Sequence, residues 1–291
     1  MAEEIILGKY LIAFIDVIGQ RSKLEQLVKL PQDEKEIKEA EELIFETSEH
    51  IKNLRKQFYD YFHASHTNTG LLDKYTPEQK AWFAERKTSH IWYKGFSDSF
   101  VITIPCIYDK RYGINILDIY NCLFGIGVLQ LWSLVMEKPI RGGIEIHIGT
   151  EIETNEVYGP VVAKAYQLEN YCAGYPRVLI SEGLINHLKY YKIHCPKNMD
   201  GKHALINIKN CESLITKDND SKYILDFIGE GIKSVHVDFS ISSMVDTAYH
   251  FVVSQQIHFK ELGDTKLFKY YSDLRNYIET RLSIWDVQKE P

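Results

Sequence analysis

An α+β fold of the ferredoxin-like kind is what the sequence predicts, with helices on one face of an antiparallel sheet. Three observations carry this expectation. The order of elements reads strand, helices, hairpin, helix, strand, helix, strand. The run "YLIAFIDV" at 10–17 is apolar except for one carboxylate, as in a strand buried on both faces. The stretch "PIRGGIEIHIGTEI" alternates at period two, the spacing of a second strand with Gly142 and Gly143 near its start.

Each element follows in turn. From Pro31 to about Phe62, charges alternate with Ile, Leu and Phe at helical spacing, which fits one or two helices. Residues 63–88 read as a polar connection with a short helix after Thr76. "HIWYKGFSDSFVITIP" places two short β runs around "KGFSD", a hairpin. An apolar helix is expected over about 114–137. "GPVVAKAYQLENYCA" is helical, with Val161, Val162, Ala165, Leu168 and Glu169 at i, i+3/i+4 spacings. "PRVLIS" reads as a strand and "EGLINHLKYY" as a helix. Residues 195–235 are mixed, with a polar loop near 216–222. The tail from Val237 to Trp285 reads as two helices broken near Gly263 and Asp264. The expected division is a core over 1–235, carrying a helical insertion at about 31–88, and a C-terminal helical extension over 236–291.

Composition narrows the function classes. The 291 residues are 45% apolar and 25% charged, the profile of a globular chain with ample core material. A net charge of −6 argues against a broad electrostatic grip on nucleic acid. Five cysteines with no Cys-x-x-Cys pair read as reduced thiols in a cytoplasmic protein. The opening "MAEEIILGKY" has no signal-peptide core. The stretch "ILDIYNCLFGIGVLQLWSLVM" carries Asp118 and Asn121, so a buried helix is expected there and no membrane span.

Asp16 poses the chemical question. An ionised carboxylate in a buried strand needs a partner, a cation or an exposed strand end. In a βαββαβ core the first strand neighbours the hairpin, so Asp16 and Asp98 are expected to face each other. Two such carboxylates repel unless a cation lies between them, and hard oxygen ligands point to Mg²⁺ or Mn²⁺. Gly19 would let the backbone turn tightly and bring N–H groups to a phosphate. The plainer alternative for Asp16 is a solvated strand end or a helix N-cap.

Four stretches carry a family resemblance. "FIDVIG" resembles the first metal motif of class III nucleotide cyclases, and "KGFSDSFVI" resembles their hairpin, with Phe96 and Ser97 replacing an Ile and a Gly. "RGGIEIHIG" resembles their Arg-x-Gly-Ile strand with two extra residues before the last Gly, and "NEVYGPVVAKAYQLENYCAGYPRVLIS" resembles their closing segment. The pieces come in the family's order over about 10–181. They are also similar to the pyrimidine cyclases of bacterial antiphage signalling, called Pycsar.

The resemblance implies a cyclase palm core, a nucleoside triphosphate substrate and two Mg²⁺ or Mn²⁺ ions per site. Asp16, Asp98 and the backbone carbonyl of Ile18 match the metal ligands. The backbone of Val17, Ile18, Gly19 and Gln20 would lie against phosphates. Lys94 and Glu156 match the base-reading pair, with Tyr93 next in line should the register differ by one residue. Arg141 and Arg177 stand between phosphate neutralisation and structural pairing. The family's transition-state Asn and Arg fall on Ala163 and Gln167, so those groups are missing. A homodimer with shared sites is implied. The expected function is a cytoplasmic metal-dependent nucleotide cyclase making a 3′,5′-cyclic nucleotide, pyrimidine favoured (cUMP among the products), in antiphage signalling. The alternative is a catalytically degenerate cyclase-like module that binds nucleotide or scaffolds a partner. His63 and His66, spaced i, i+3 in a polar segment, are the other pair with metal-ligand spacing, and chance is the simpler reading.

Overall fold

The computed structural model describes the whole chain except residues 1–6, 21–23, 26, 28, 68–75, 78–79, 82–90, 97, 107–115, 236–238 and 291. The chain is α+β. Its first half runs β1 (Gly8–Val17), α1 (Glu34–Thr67), β2 (Trp92–Phe96), β3 (Ser99–Pro105), α2 (Ile116–Val135) and β4 (Ile140–Glu153). It continues through β5 (Glu156–Tyr158), α3 (Pro160–Gln167), β6 (Val178–Ile180), α4 (Glu182–His194), α5 (Met199–Ser213), β7 (Ile215–Lys217) and β8 (Tyr223–Leu225). Helices α6 (Glu230–Val235), α7 (Phe239–Glu261) and α8 (Thr265–Glu279) close it.

The sheet order is β2-β3-β1-β4-β6-β8-β7, with β5 paired to the end of β4. Strand β1 is antiparallel to both β3 and β4, and β6 joins β4 in parallel. The first four strands therefore take the order expected of a βαββαβ unit, with the hairpin beside β1. Central placement explains the apolar run. Leu11, Ala13, Ile15 and Val17 face the main core, while Tyr10 and Ile12 pack with Val161 and Ala165 of α3 on the other face. Helix α3 covers only part of that second face, and Asp16 lies on it at the end of the strand.

Residues 34–67 form one continuous helix rather than two. Asp33 Oδ1 accepts from the Glu36 N–H at 2.8 Å, and Ile51, Leu54, Phe58 and Phe62 keep one buried face. The expected short helix after Thr76 and the polar connection around it fall mainly on residues outside the described set, as does the side chain of His66. Helix α2 is long and apolar enough to cross a membrane, yet 83% of its apolar window is buried inside the protein. It is packed between α1 and α7. The mixed region resolves into α5, the β7–β8 hairpin and α6. The tail breaks at Gly263, with φ 71°, and Asp264 caps α8 by accepting from Leu267 N–H at 2.9 Å. Trp285 Nε1 donates to the Ile228 carbonyl at 2.7 Å, and Tyr249, Tyr277 and Trp285 join the same core as the sheet.

One glycine controls how closely α3 approaches β4. A Cβ on Gly143 would lie 2.5 Å from Leu168 Cβ, 2.6 Å from the Ala165 carbonyl oxygen and 2.8 Å from Glu169 N. Backbone atoms cannot step aside as a flexible side chain can. Gly143→Ala is therefore expected to cost roughly 1–3 kcal/mol, the usual penalty of overpacking. Urea unfolding checks this, and an unchanged midpoint would show that the helix can lift from the strand at no cost.

Candidate active site

Register brings the candidate residues together. Asp16 pairs with Ser99 on one side and with Arg141 on the other, and paired residues share a face of the sheet. Phe14, Val101, Lys94 and Gly143 form the next row on that face. Strand spacing puts the Cα atoms of Asp16 and Lys94 roughly 12 Å apart. The hairpin turn docks on the end of β1, where the Val17 N–H donates to the Asp98 carbonyl at 3.2 Å. Asp98 is half-buried there.

Asp16 is well held. Ser99 Oγ donates to its Oδ1 at 2.8 Å and Arg141 Nε to its Oδ2 at 3.2 Å, with Arg141 Nη2 3.1 Å from the same oxygen. Burial pushes its pKa up and the Asp98 carboxylate adds to that, against the pull of Ser99 and Arg141. Arg141 also reaches Glu169, with Nε 2.7 Å from Oε1. That Oε1 has no aligned hydrogen bond, so the contact is an ion pair in which the Nε hydrogen points to Asp16. Glu169 is 3% exposed and is the second residue of a π-helical turn over Leu168–Cys172, a local geometry often found at functional sites. Burial raises its pKa to about 7; Arg141 opposes the shift, and Asp16 and Asp98 add to it.

The other candidates fall into separate groups. Lys94 Nζ meets Glu156 Oε2 at 2.5 Å across 62 residues of chain, both side chains being more than two-fifths exposed. The long β4 makes this contact by leaving the sheet, bulging near Glu151 and Glu153, and returning through the turn at Asn155. Tyr93 points to the opposite face, where its ring lies 6.5 Å from that of Tyr59 on α1. Gly19 takes φ 87°, a tight turn that a side chain would strain. The Val17 and Ile18 N–H groups bond the carbonyls of Asp98 and Pro139. Gln20 is buried, with Oε1 lacking a hydrogen bond. Arg177 lies away from Asp16 in a structural cluster: it donates to the Ala173 carbonyl at 2.6 Å and to Asp220 at 2.7 and 3.1 Å, pairs with Asp218, and lies over the Tyr175 ring. Ala163 and Gln167 are exposed on α3.

Sequence reasoning missed Ser99 and Glu169 as members of this site. Ser99 was one residue beyond a candidate, opposite Asp16 only once the hairpin register is known. Glu169 had a visible signal: a carboxylate on the apolar stripe of a helix needs a buried partner.

The donor set suits a hard divalent cation in kind, with the Asp16 carboxylate, the Asp98 carboxylate close enough to disfavour its charge, and the Ile18 carbonyl on the connecting turn. Among the described residues no group of three or more His, Cys, Asp or Glu side chains converges on a single point, so the carbonyl and substrate oxygens would complete the set. A separate cleft of about 540 Å³ lies between α7, α8 and the C-terminal tail. Its charged groups are paired with one another, Arg275 with Glu279 at 2.6 Å and Lys289 with the same carboxylate.

The Glu169 pKa has a stability consequence. A carboxyl whose folded value lies above the ordinary 4.5 contributes stability in full below pH 4.5, and that contribution is lost as pH rises through about 7. Thermal unfolding from pH 4.5 to 8 is expected to show Glu169→Gln gaining on the wild type as pH rises. Parallel profiles would mean that Glu169 is ionised throughout.

Searches against family models, curated proteins and solved structures each returned no match, so the likeness to class III cyclases rests on the ordered motifs.

Proposed function

We propose that the chain is a metal-dependent nucleotide cyclase that converts a nucleoside triphosphate to a 3′,5′-cyclic nucleotide and pyrophosphate. The observation that supports this best is the common face of the sheet. It carries the Asp16 carboxylate at the end of β1, with Asp98 in the adjoining hairpin turn, and the Lys94–Glu156 pair beyond Phe14 and Val101. A phosphate-handling end and a base-reading end thus stand apart on one surface, and in a two-fold dimer with shared sites each chain would lend the first to one site and the second to the other.

In this reading Asp16, Asp98 and the Ile18 carbonyl would hold Mg²⁺ or Mn²⁺, two ions per site as the family resemblance implies. When bound, the ions supply Lewis acidity and neutralise phosphate charge. The residues of the chain orient the reactants. Lys94 donates to the base and Glu156 accepts from it, and Phe14, edge-on to Tyr166 at 5.3 Å, offers an apolar wall. The ribose 3′-oxygen attacks the α-phosphorus, a P–O bond forms, and the bond to pyrophosphate breaks. Positioning supplies much of the rate. Lys94 and Glu156 must part to admit a base, and Glu156, one methylene longer than the family's Asp, reaches deeper into the site and leaves less room for a two-ring base. A pyrimidine triphosphate is therefore favoured. A role in antiphage signalling follows only from the likeness to Pycsar cyclases, and a cytoplasmic location from the reading of the five cysteines as reduced thiols.

A second reading, a nucleotide-binding or scaffold module without turnover, is favoured by Ala163 and Gln167, which lack the family's amide and cation. Incubation with each of the four NTPs and Mn²⁺, with products weighed by mass spectrometry, separates the two. Cyclic UMP or cyclic CMP is expected, and Asp98→Asn is expected to abolish it. Binding without any cyclic product would establish the second reading, and faster cyclisation of ATP or GTP would overturn the base assignment.

The family's shared sites imply a two-fold homodimer. Mixing Asp16→Asn chains with Glu156→Ala chains, each inactive alone, is expected to restore one working site per mixed dimer. No recovery from a verified mixed dimer would place each site within one chain.

A further inference from the structure

We propose that Arg141 is the built-in counter-ion of Asp16 and that Glu169 is the positioning residue that takes this guanidinium over when a divalent cation reaches the carboxylate. The inference rests on the cation-site reading of Asp16 and Asp98 and concerns how that site is kept ready.

The geometry carries it. Arg141 makes two contacts with Asp16 Oδ2, at 3.1 and 3.2 Å, so the oxygen that faces β4 is already neutralised by the protein. A metal ion and a guanidinium cannot both take that oxygen at close range, because like charges in a half-buried site repel strongly. The arginine needs another acceptor if it is to leave. Glu169 Oε1 is that acceptor: it lies 2.7 Å from Arg141 Nε, is buried, and has no aligned donor. A buried carboxylate oxygen without an aligned hydrogen bond is costly, and a small rotation of the guanidinium from Asp16 toward Glu169 satisfies it. The close approach of α3 over Gly143 fixes Glu169 at this distance, since its backbone nitrogen would collide with any side chain at 143.

The arrangement predicts opposite effects from its two members and, because Glu169 acts through Arg141, no effect of Glu169→Gln once Arg141 is replaced by Met; simple charge proximity would keep the Glu169→Gln loss in the double variant and so overturn the hand-over. Mn²⁺ binding to the full-length protein, without nucleotide, is measured by the EPR signal of free Mn²⁺. Glu169→Gln removes the charge that receives Arg141, and Mn²⁺ affinity is expected to fall roughly tenfold. Arg141→Met removes the competing cation, and affinity is expected to rise. Circular dichroism verifies folding. Should Glu169→Gln not fold, Glu169→Asp, which withdraws the carboxylate by one methylene, is expected to give a smaller loss of the same sign. Shifts of the same sign in the Glu169 and Arg141 variants, or none, overturn the hand-over. Asp98→Asn separates the two levels. Wild-type binding that disappears in Asp98→Asn but ignores Glu169→Gln refutes the hand-over alone. A wild type that binds no Mn²⁺ refutes the cation site and the hand-over together.

Discussion

The pairing of Asp16 with Arg141 across the β1–β4 ladder is the constraint on which the rest of the site depends. Strand β1 has neighbours on both sides and cover on both faces, so a carboxylate near its end is costly unless a cation stands beside it. Register delivers that cation from the adjacent strand, and Ser99 from the other. A slip of one residue would turn Asp16 into the main core among Ile15, Val17 and the long helices. Alternation along β1 therefore fixes the register as much as backbone hydrogen bonds do.

The same demand propagates outward. Arg141 has two carboxylate neighbours, and the second, Glu169, reaches it only because α3 lies unusually close to β4 at Gly143. The helix covers Tyr10 and Ile12 with Val161 and Ala165, and the Asp16 end of the face keeps partial access, its side chain 16% and that of Arg141 28% exposed. Hydrophobic cover and chemical access are thus divided along one strand. The opposite face has no such division, since α1, α2 and the C-terminal helices bury it in a single core that reaches Trp285.

Charge pairing also sorts the arginines. Arg141 sits between two carboxylates on the open face, whereas Arg177 is closed in by Asp218, Asp220 and Tyr175 at the far side of β6. The Arg177 cluster holds the β7–β8 turn to the segment before β6, and its hydrogen bonds hold Asp220 well below the ordinary carboxylate pKa. Near neighbours in the sheet, through Gly142 and the Arg177 carbonyl, the two side chains nevertheless serve different ends.

Local pattern by itself marked β1, the hairpin, β4 and β6, an apolar helix over about 114–137 and the break near Gly263 and Asp264, because side-chain periodicity and turn chemistry act over a few residues; it did not show the short β5, β7 and β8. It also marked Asp16 as an anomalous carboxylate near a strand end, with Asp98 in the hairpin expected to face it. Only the tertiary structure decided which charges meet. Lys94 finds Glu156 across 62 residues and Asp16 finds Arg141 across 125, contacts set by sheet order and by the curl of β4. Glu169 showed in the sequence as a charge on an apolar stripe, but its partner lay on another element. Arg177 looked equivalent to Arg141 until Asp218 and Asp220 closed around it. Periodicity tells which way a side chain points; what it meets there depends on elements distant in the chain, and no local pattern encodes that.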